Sequence, residues 1–448
     1  MRKTIYLVAG LIVLGGAVAF FSARAVSPRA RALEGDGSRR GSAGRSLPSD
    51  GQIVAAERLI ANAPTNPRGY NSLAAALMQN ARETGDFSIN KQAEVAVARS
   101  LSIAPDNYDA LKLRAKLLLT FHRFAEALKV ARRAQTMDPR DHDNYGAATD
   151  ALVELGEYPR AVEAAQTMVD LRPDTSSYSR VSYLRWLHGD TKGAIEAMRA
   201  ALEASSPHDS EKRAWCMVQL GEALLNTGKV ADAEREFDRA LYTFSGYHLA
   251  LQAKARARIA AGDLNGAAEI YRRELESDPQ AADAALALGD LYSTMGRAED
   301  AQRLYEIFED SETKNAEVEN ESHHLVYFWA DHDKSVGEAV RLARQERSAR
   351  ADIYTCDALA WSLFKNRELP EARAAIEDAL RLGTRDARIH YHAGMIFQAL
   401  GDRGNARRHL QKALEINPAF DIVQAGIAKG MLNAINSKKQ PPGRVIRS

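Results

Sequence analysis

Alanine recurs at nearly constant spacing along most of this chain. Ten such alanines, from Ala93 to Ala406, follow one another at intervals of 34, 34, 33, 39, 34, 34, 38, 33 and 34 residues. A period of a few tens of residues predicts an array of repeated units that stack on one another, each burying the apolar face of its neighbour. With 448 residues, the chain is also longer than one ordinary hydrophobic core supports.

Each unit has the pattern of a helical hairpin. Apolar residues recur at helical spacing in two short runs, and a turn centred on glycine, such as "TMGRAED" or "ALGDRGN", separates them. A small residue stands twelve positions before the recurrent alanine in most units, and we expect both positions to lie where the two helices cross most closely. These structural positions include Ala127, Ala161, Gly221, Ala233, Ala267, Gly289, Ala301, Ala372, Gly394 and Ala406.

Two stretches carry a resemblance to a known family. "ALALGDLYSTMGRAEDAQRLYEIF" at 285–308 and "HYHAGMIFQALGDRGNARRHLQKALEINP" at 390–418 resemble the tetratricopeptide repeat, with about ten repeats over 67–418. The resemblance implies an all-α fold, a right-handed superhelical solenoid of helix-turn-helix repeats. It also implies that partner proteins or peptides bind in the inner groove, which the first helix of each unit lines.

The groove positions of the family fall on acidic and aromatic residues in the later units. Such a surface suits a partner segment with Lys or Arg beside apolar side chains. For Phe328 and Trp361, packing between helices is the alternative. In the earlier units, Lys112, Lys116, Asp143 and Asp150 are also expected to face inward. The predicted partner-binding groove comprises Asp290, His324, Phe328, Asp331, Asp357, Trp361 and Phe364.

The stretch "HHLVYFWADHD" at 323–333 raises the question of a metal site. His323 and His324 are adjacent and His332 is more than two helical turns further on, so no two of these histidines have the spacing of ligands on one helix. The chain also lacks the Gly-rich phosphate loop and the GxSxG and HExxH motifs. We therefore expect no metal, no cofactor and no enzymatic activity.

The ends of the chain differ from the repeats. Residues 1–25 combine a basic start with an apolar stretch at 5–21 and an A-x-A arrangement, which is typical of a signal peptide or an uncleaved signal anchor. This pattern predicts an exported, periplasmic or extracytoplasmic protein, either free or anchored to a membrane through residues 5–21. A tethered protein with cytoplasmic repeats is the alternative.

Composition and periodicity predict the boundaries of the remaining segments. We predict a disordered tether at 26–51, the solenoid at 52–418, a C-terminal capping helix at 419–436 and a loose basic tail at 437–448. Within the solenoid, the polar residues 311–322 are expected to form a loop between two units.

These features favour a non-catalytic scaffold for protein–protein interactions. A regulatory or delivery subunit of a cell-envelope enzyme or transporter complex is the alternative. The net charge of +1 gives no general reason to expect nucleic-acid binding. Self-association stays open, because exposed solenoid faces invite it.

Overall fold

The computed structural model describes residues 47–319 and 323–437, and within these ranges the protein is all-α. A single helix, α1 (Pro48–Asn62), precedes ten helical hairpins, and α22 (Gln424–Ser437) follows them. We number the hairpins as units 1 to 10. The predicted all-α solenoid of about ten repeats is thus confirmed.

The first helices of the units run in chain order from unit 1 to unit 10. They are α2 (Pro67–Thr84), α4 (Tyr108–Thr120), α6 (His142–Glu154), α8 (Thr175–Leu187), α10 (Ser210–Asn226), α12 (His248–Ala261), α14 (Ala282–Thr294), α16 (His323–Asp331), α18 (Ile353–Lys365) and α20 (Ala387–Ala399). The second helices are α3 (Ile89–Ile103), α5 (Phe124–Met137), α7 (Tyr158–Leu171), α9 (Thr191–Glu203), α11 (Val230–Thr243), α13 (Leu264–Ser277), α15 (Ala298–Glu319), α17 (Val336–Ala349), α19 (Leu369–Ala379) and α21 (Arg403–Ile416).

Aspartate side chains fix many of the helix starts. The Asp174 carboxylate accepts a bond from the backbone N–H of Ser177, whose hydroxyl donates back to the Asp174 carbonyl at 3.0 Å. Asp386 caps α20 in the same way, accepting from the backbone N–H groups of Arg388 and Ile389. Such caps satisfy amide groups that a helix leaves unpaired at its start.

The small positions of the repeat lie between the two helices of a unit. All ten alanines and glycines named above are buried. A Cβ atom added to Gly289 would lie 2.6 Å from Cε1 of the Tyr305 ring on the second helix of unit 7. Since this distance is far below van der Waals contact, the close helix crossing in unit 7 requires glycine.

Three segment boundaries differ from the sequence-based expectation. Most of the loop predicted at 311–322 is instead helical, since α15 continues to Glu319. Helix α1 begins at Pro48, inside the segment predicted as a tether. Helix α22 begins at Gln424, and residues 419–423 before it form turns and bends. The polar composition of 311–322 suggested a loop, but its Glu, Lys and Ala residues favour a helix, and residues 311–319 extend a helix already in place.

The solenoid is wound so tightly that one superhelical turn touches the next. The Arg350 side chain, between units 8 and 9, is 6% exposed and pairs with Glu154 at the end of α6 in unit 3. In the same place, the backbone N–H of Ala351 donates to the Glu154 carbonyl at 2.8 Å, and that of Ile353 donates to the Tyr158 hydroxyl at 2.9 Å. These contacts join residues that are separated by five to six units.

Close backbone approach at this junction requires glycine. Gly156, in the turn of unit 3, has a φ angle of +72° and a Cβ added to it would lie 2.6 Å from the carbonyl oxygen of Ala351.

We call the group around Arg350, with Glu154, Glu346 and Asp352, the Arg350 clasp. It connects the early units of the solenoid to the late ones.

Candidate functional site

The first helices of units 4 to 10 line a common concave cavity of about 1130 Å³. Their side chains reach it because the hairpins stack with the first helix on the inner side of the superhelix. The wall combines aromatic rings with carboxylates, and we refer to this surface as the groove. Such a mixed apolar and polar concave surface is the usual form of a binding site.

The structure brings most of the predicted groove residues to this cavity. Asp357 is the exception, since its side chain is 0% exposed behind the wall. Phe328 and Trp361 line the cavity, yet each is only 3% exposed because neighbouring helices cover most of its ring. The predicted residues that line the groove are Asp290, His324, Phe328, Asp331, Trp361 and Phe364.

Asp290 anchors a small polar cluster between units 7 and 8. Its Oδ1 accepts a hydrogen bond from the Tyr305 hydroxyl at 2.9 Å and lies 3.5 Å from Nε2 of His332. Burial alone would lower the pKa of His332, but bonds to the Asp290 carboxylate and the Phe328 carbonyl outweigh it and the pKa is raised. The cluster therefore favours a proton on His332.

Asp331 forms a second cluster between units 8 and 9. Its Oδ1 accepts from Nε1 of Trp361 at 2.7 Å and from Nε2 of Gln424 at 2.8 Å. Burial raises the pKa of the Asp331 carboxyl. Both donors are neutral. The charge of Arg388 partly opposes the effect of burial on the pKa of Asp331, but among the described residues no cation lies within ion-pair distance of this carboxylate.

Asp357 belongs to a third, fully buried cluster behind the groove wall. Its carboxylate accepts from the Tyr327 hydroxyl at 2.8 Å and lies 2.8 Å from Nδ1 of His392. The His392 ring is 0% exposed and stacks on Trp361 with 4.1 Å between ring centroids. Asp357 thus orients the packing that supports Trp361 and does not reach a ligand in the groove.

The inward residues of units 2 and 3 are arranged differently. Nζ of Lys112 lies 2.5 Å from Asp141 and 3.2 Å from Asp143, and Nζ of Lys116 lies 3.6 Å from Asp143. Burial opposes ionisation of Asp143, but the two lysines outweigh it and lower its pKa. These residues neutralise one another, and none of them lines the cavity.

Part of the groove wall comes from residues that the repeat pattern did not predict. Residues 419–424 and Ile427 cross the inner surface after the last unit, with Phe420 near Tyr391 and Ile422 against the core of units 6 and 7. They follow the last repeat and have no position in its register. The only available signal that these residues pack against the solenoid was the mostly apolar stretch "AFDIV" at 419–423.

The histidine-rich stretch at 323–333 forms α16 and the turn after it. His324 and His332 approach separate carboxylates, Asp283 at 3.6 Å and Asp290 at 3.5 Å. In the described part of the chain, no group of three or more His, Cys, Asp or Glu side chains is placed to hold a metal ion.

Comparison with protein families decides the kind of solenoid. A family model described as tetratricopeptide repeat matches residues 90–142, 147–210, 218–282 and 358–419, and a second model with the same description matches 258–319. The chain belongs to the tetratricopeptide repeat family. Members of this family are typically scaffolds for protein–protein interactions and are generally not catalytic.

Several solved structures are similar to this tetratricopeptide repeat protein. Yeast Tom70 is 14% identical over 87% of this chain and 92% of its own, with a TM-score of 0.39. The APC/C hetero-tetramer Cut9-Hcn1 is 14% identical over 86% and 93%, with a TM-score of 0.34. A chain of Naa15/Naa10 bound to HypK-THB is 16% identical over 86% of this chain but only 64% of its own, with a TM-score of 0.29. These low values carry no conclusion about partners.

No curated protein sequence matches the chain. Among the residues that the structure describes, no helix has the length and the apolar character needed to cross a membrane. The predicted signal peptide or anchor at 1–25 lies outside the described residues, as do most of the predicted tether at 26–51 and most of the tail at 437–448.

Proposed function

We propose that this protein is a non-catalytic scaffold that binds segments of partner proteins in the groove of units 4 to 10. The partner segment carries Lys or Arg beside apolar side chains. The observation that carries this proposal is the alternation of carboxylates with aromatic rings along the first helices of units 7 to 9. Asp290 and Asp331 stand next to Phe328, Trp361 and Phe364 on the cavity wall.

The chemistry of the wall supports a partner that is both cationic and apolar. Carboxylates on a concave surface attract a cationic segment and set its register, while burial of apolar side chains holds it in place. Phe364 is half-buried and offers ring surface to a ligand, while Phe328 and Trp361 are each only 3% exposed. In this proposal, the carboxylates of Asp283, Asp290 and Asp331 on the cavity wall recognise the charge of the segment.

The test uses crosslinking in cells, followed by identification of bound proteins. The variant Asp283→Asn with Asp290→Asn removes two carboxylates from the groove and changes little of its shape. We expect it to reduce recovery of the crosslinked partners several-fold, because each charge-assisted bond is stronger than a neutral one. Unchanged recovery would contradict binding in the groove.

The matched control removes the same amount of charge elsewhere. Glu276→Gln with Glu299→Gln changes two exposed carboxylates outside the cavity, on α13 and α15. We expect this variant to recover partners as the unaltered chain does. If both variants lose partners equally, net charge and not the groove controls recovery.

We further propose that the scaffold is exported, or anchored to a membrane, through residues 1–25. The support for this is the basic start and the apolar stretch at 5–21. Sequencing the N-terminus of the mature protein distinguishes a cleaved peptide from an anchor. If the repeats are exported, protease should cut them either in intact cells or once the outer envelope has been opened. Repeats that stay protected until the inner membrane is broken would refute export.

A further inference from the structure

The chain does not end on the last repeat but folds back across the groove. We call residues Ala419–Ile427 the C-terminal strap. Two residues before the strap, Nδ2 of Asn417 donates to the carbonyl of Leu225 in unit 5 at 3.2 Å. Ile422 packs against the core of units 6 and 7, and Gln424 bonds to Asp331 of unit 8. The strap thus spans the same inner surface on which a partner segment would lie.

The strap holds the groove through alternate side chains. The Phe420 ring lies 5.7 Å from the Tyr391 ring, measured between centroids. Two residues on, Ile422 is half-buried in the groove wall, and two further on, Gln424 is 6% exposed with its amide on Asp331. Val423, between these side chains, is 49% exposed. The contacts therefore follow an aromatic, aliphatic and amide pattern at every second residue.

The contact between Gln424 and Asp331 is the least favourable contact of the strap with the groove. Its Oδ1 takes both neutral donors, and in the described ranges Oδ2 accepts no hydrogen bond, so a further donor has a place to bind. Arg388 acts on Asp331 by charge without forming an ion pair within 4.0 Å in the described residues, and a charged donor bonded directly to the carboxylate satisfies it better than an amide does. The amide of Gln424 is therefore a poorer partner for Asp331 than a Lys or Arg side chain would be.

We propose that the C-terminal strap occupies the groove in place of a partner segment, and that a partner displaces it by putting Lys or Arg on Asp331 where Gln424 now lies. The partner segment carries an aromatic side chain, an aliphatic one and Lys or Arg at alternate positions, matching Phe420, Ile422 and Gln424. This inference rests on the proposed function, because it assumes that the groove binds cationic and apolar segments.

Tethering gives the strap an advantage over any partner. A segment held on the same chain has an effective concentration of roughly millimolar, so it competes strongly with a free ligand. The apparent affinity of a partner equals its affinity for the open groove multiplied by the fraction of molecules in which the groove is open. Releasing the strap should therefore raise partner affinity without any change in the groove itself.

The test measures binding of two labelled peptides to the full chain. One has the sequence of residues 418–428, PAFDIVQAGIA, and the other has Lys in place of the glutamine. Phe420→Ala with Ile422→Ala loosens the strap. We expect the lysine peptide to bind this variant at least about tenfold more tightly than the unaltered chain, and more tightly than the glutamine peptide does. Fluorescence anisotropy gives both affinities.

Further variants locate the exchange at Asp331. Adding Asp331→Asn to the loosened chain should remove the preference for the lysine peptide. In an otherwise unaltered chain, Gln424→Lys should place the cation on Asp331 from within and weaken binding of the lysine peptide. Val54→Ala with Leu59→Ala is the matched control, since it removes apolar side chains of α1 that are 46% and 47% exposed. It should leave binding unchanged.

The outcomes separate the two proposals. If the lysine peptide binds the unaltered and the loosened chain equally well and Asp331→Asn abolishes binding, the strap does not block the groove, although the groove function stands. If it binds neither chain, both proposals fail. Hydrogen exchange of the unaltered chain gives a second measurement. The lysine peptide should speed exchange in residues 419–428, and unchanged exchange on saturation would refute displacement.

Discussion

The inward face of units 2 to 4 and that of units 7 to 9 use the same residue types in opposite ways. In the early units, each inward carboxylate pairs with a cation of a neighbouring helix, as Asp150 does with Arg180. In the late units, the carboxylates of the first helices meet histidines or neutral donors instead: Asp290 lies 3.5 Å from His332, and Asp331 accepts from Trp361 and Gln424. Pairing between units stiffens a stack and leaves no charge for a ligand. A carboxylate whose hydrogen bonds come only from neutral donors, as at Asp331, is costly to the fold but can accept a charged donor from a ligand.

Under the proposed function, this difference gives separate tasks to the two parts of one solenoid. The early units, whose charges pair with one another, would support the stack, and the late units would form the surface that binds a partner. The Arg350 clasp joins them, because it connects the end of unit 3 to the loop between units 8 and 9. The following predictions test whether the two parts are coupled and how they differ.

Breaking the clasp should have the largest effect. Arg350→Met removes the guanidinium that pairs with Glu154, Glu346 and Asp352, whose side chains are 3%, 3% and 4% exposed. Removing one partner of a buried ion pair costs about 3–5 kcal/mol, which we expect as the loss in the free energy of unfolding by urea. The early and late units should then unfold in separate transitions.

The control replaces an arginine nearby on the surface. Arg344 lies 2.5 Å from Glu368, with side-chain exposures of 55% and 30%. Arg344→Met should cost at most about 1 kcal/mol, because solvent already screens this pair. Equal losses in the two variants would show that the clasp does not couple the turns.

An intermediate effect is expected where the two parts differ in helix packing. Units 2 to 4 carry Ala115, Thr149 and Ser182 at the small position of the first helix, whereas unit 7 has Gly289. Gly289→Ala should lower the free energy of unfolding by about 1–3 kcal/mol, because the new Cβ would overlap the Tyr305 ring.

A second helical glycine provides the comparison. Gly337 in α17 has no atom within 4 Å of an added Cβ. Gly337→Ala should therefore be neutral or stabilise the chain by up to about 1 kcal/mol, since alanine restricts the unfolded backbone. Thermal melting of both variants decides; a stabilised Gly289→Ala chain would mean that the crossing tolerates a methyl group.

The smallest effect is local and depends on pH. Burial lowers the pKa of His390 and of His409, whose Nδ1 atoms lie 2.9 Å apart, to about 4 each. A histidine normally titrates near pH 6.5. Because the folded state binds protons less readily here, this part of the stability is present above about pH 6.5 and is lost as pH falls towards 4. Unit 10 should loosen in that window.

The early units should respond only in stronger acid. The pKa of Asp143 is lowered, so its contribution is present above about pH 3.9 and is lost as pH falls below that value. Hydrogen exchange, corrected for the intrinsic rate, should rise in α20–α21 before it rises in α4–α8. His409→Leu should flatten the first change. Burial raises the pKa of Asp386, which has the opposite effect on stability as pH falls. Asp386 is present in both chains, so subtracting the exchange of the His409→Leu variant from that of the unaltered chain cancels its contribution. Earlier exchange in α4–α8 would contradict this order.

Much of the fold and part of the groove followed from local patterns. The period of the alanines identified the ten hairpins, since each hairpin is built from residues close in sequence. The groove positions of the family, carried over to this sequence, placed Asp290, Asp331 and Phe364 on the inner side. Register did not reveal that Asp357 is sealed behind Trp361, because this depends on Tyr327 and His392 from the units on either side.

The sequence by itself determined the repeat and the hairpin, because these depend on neighbours within about one unit, and the resemblance to the family indicated which side of each first helix faces inward. The tertiary structure alone decided which superhelical turns touch and where the end of the chain returns. Small rotations between units add up along the stack. Only their sum brings Arg350 to Glu154, and Gln424 to Asp331, and no local pattern records that sum.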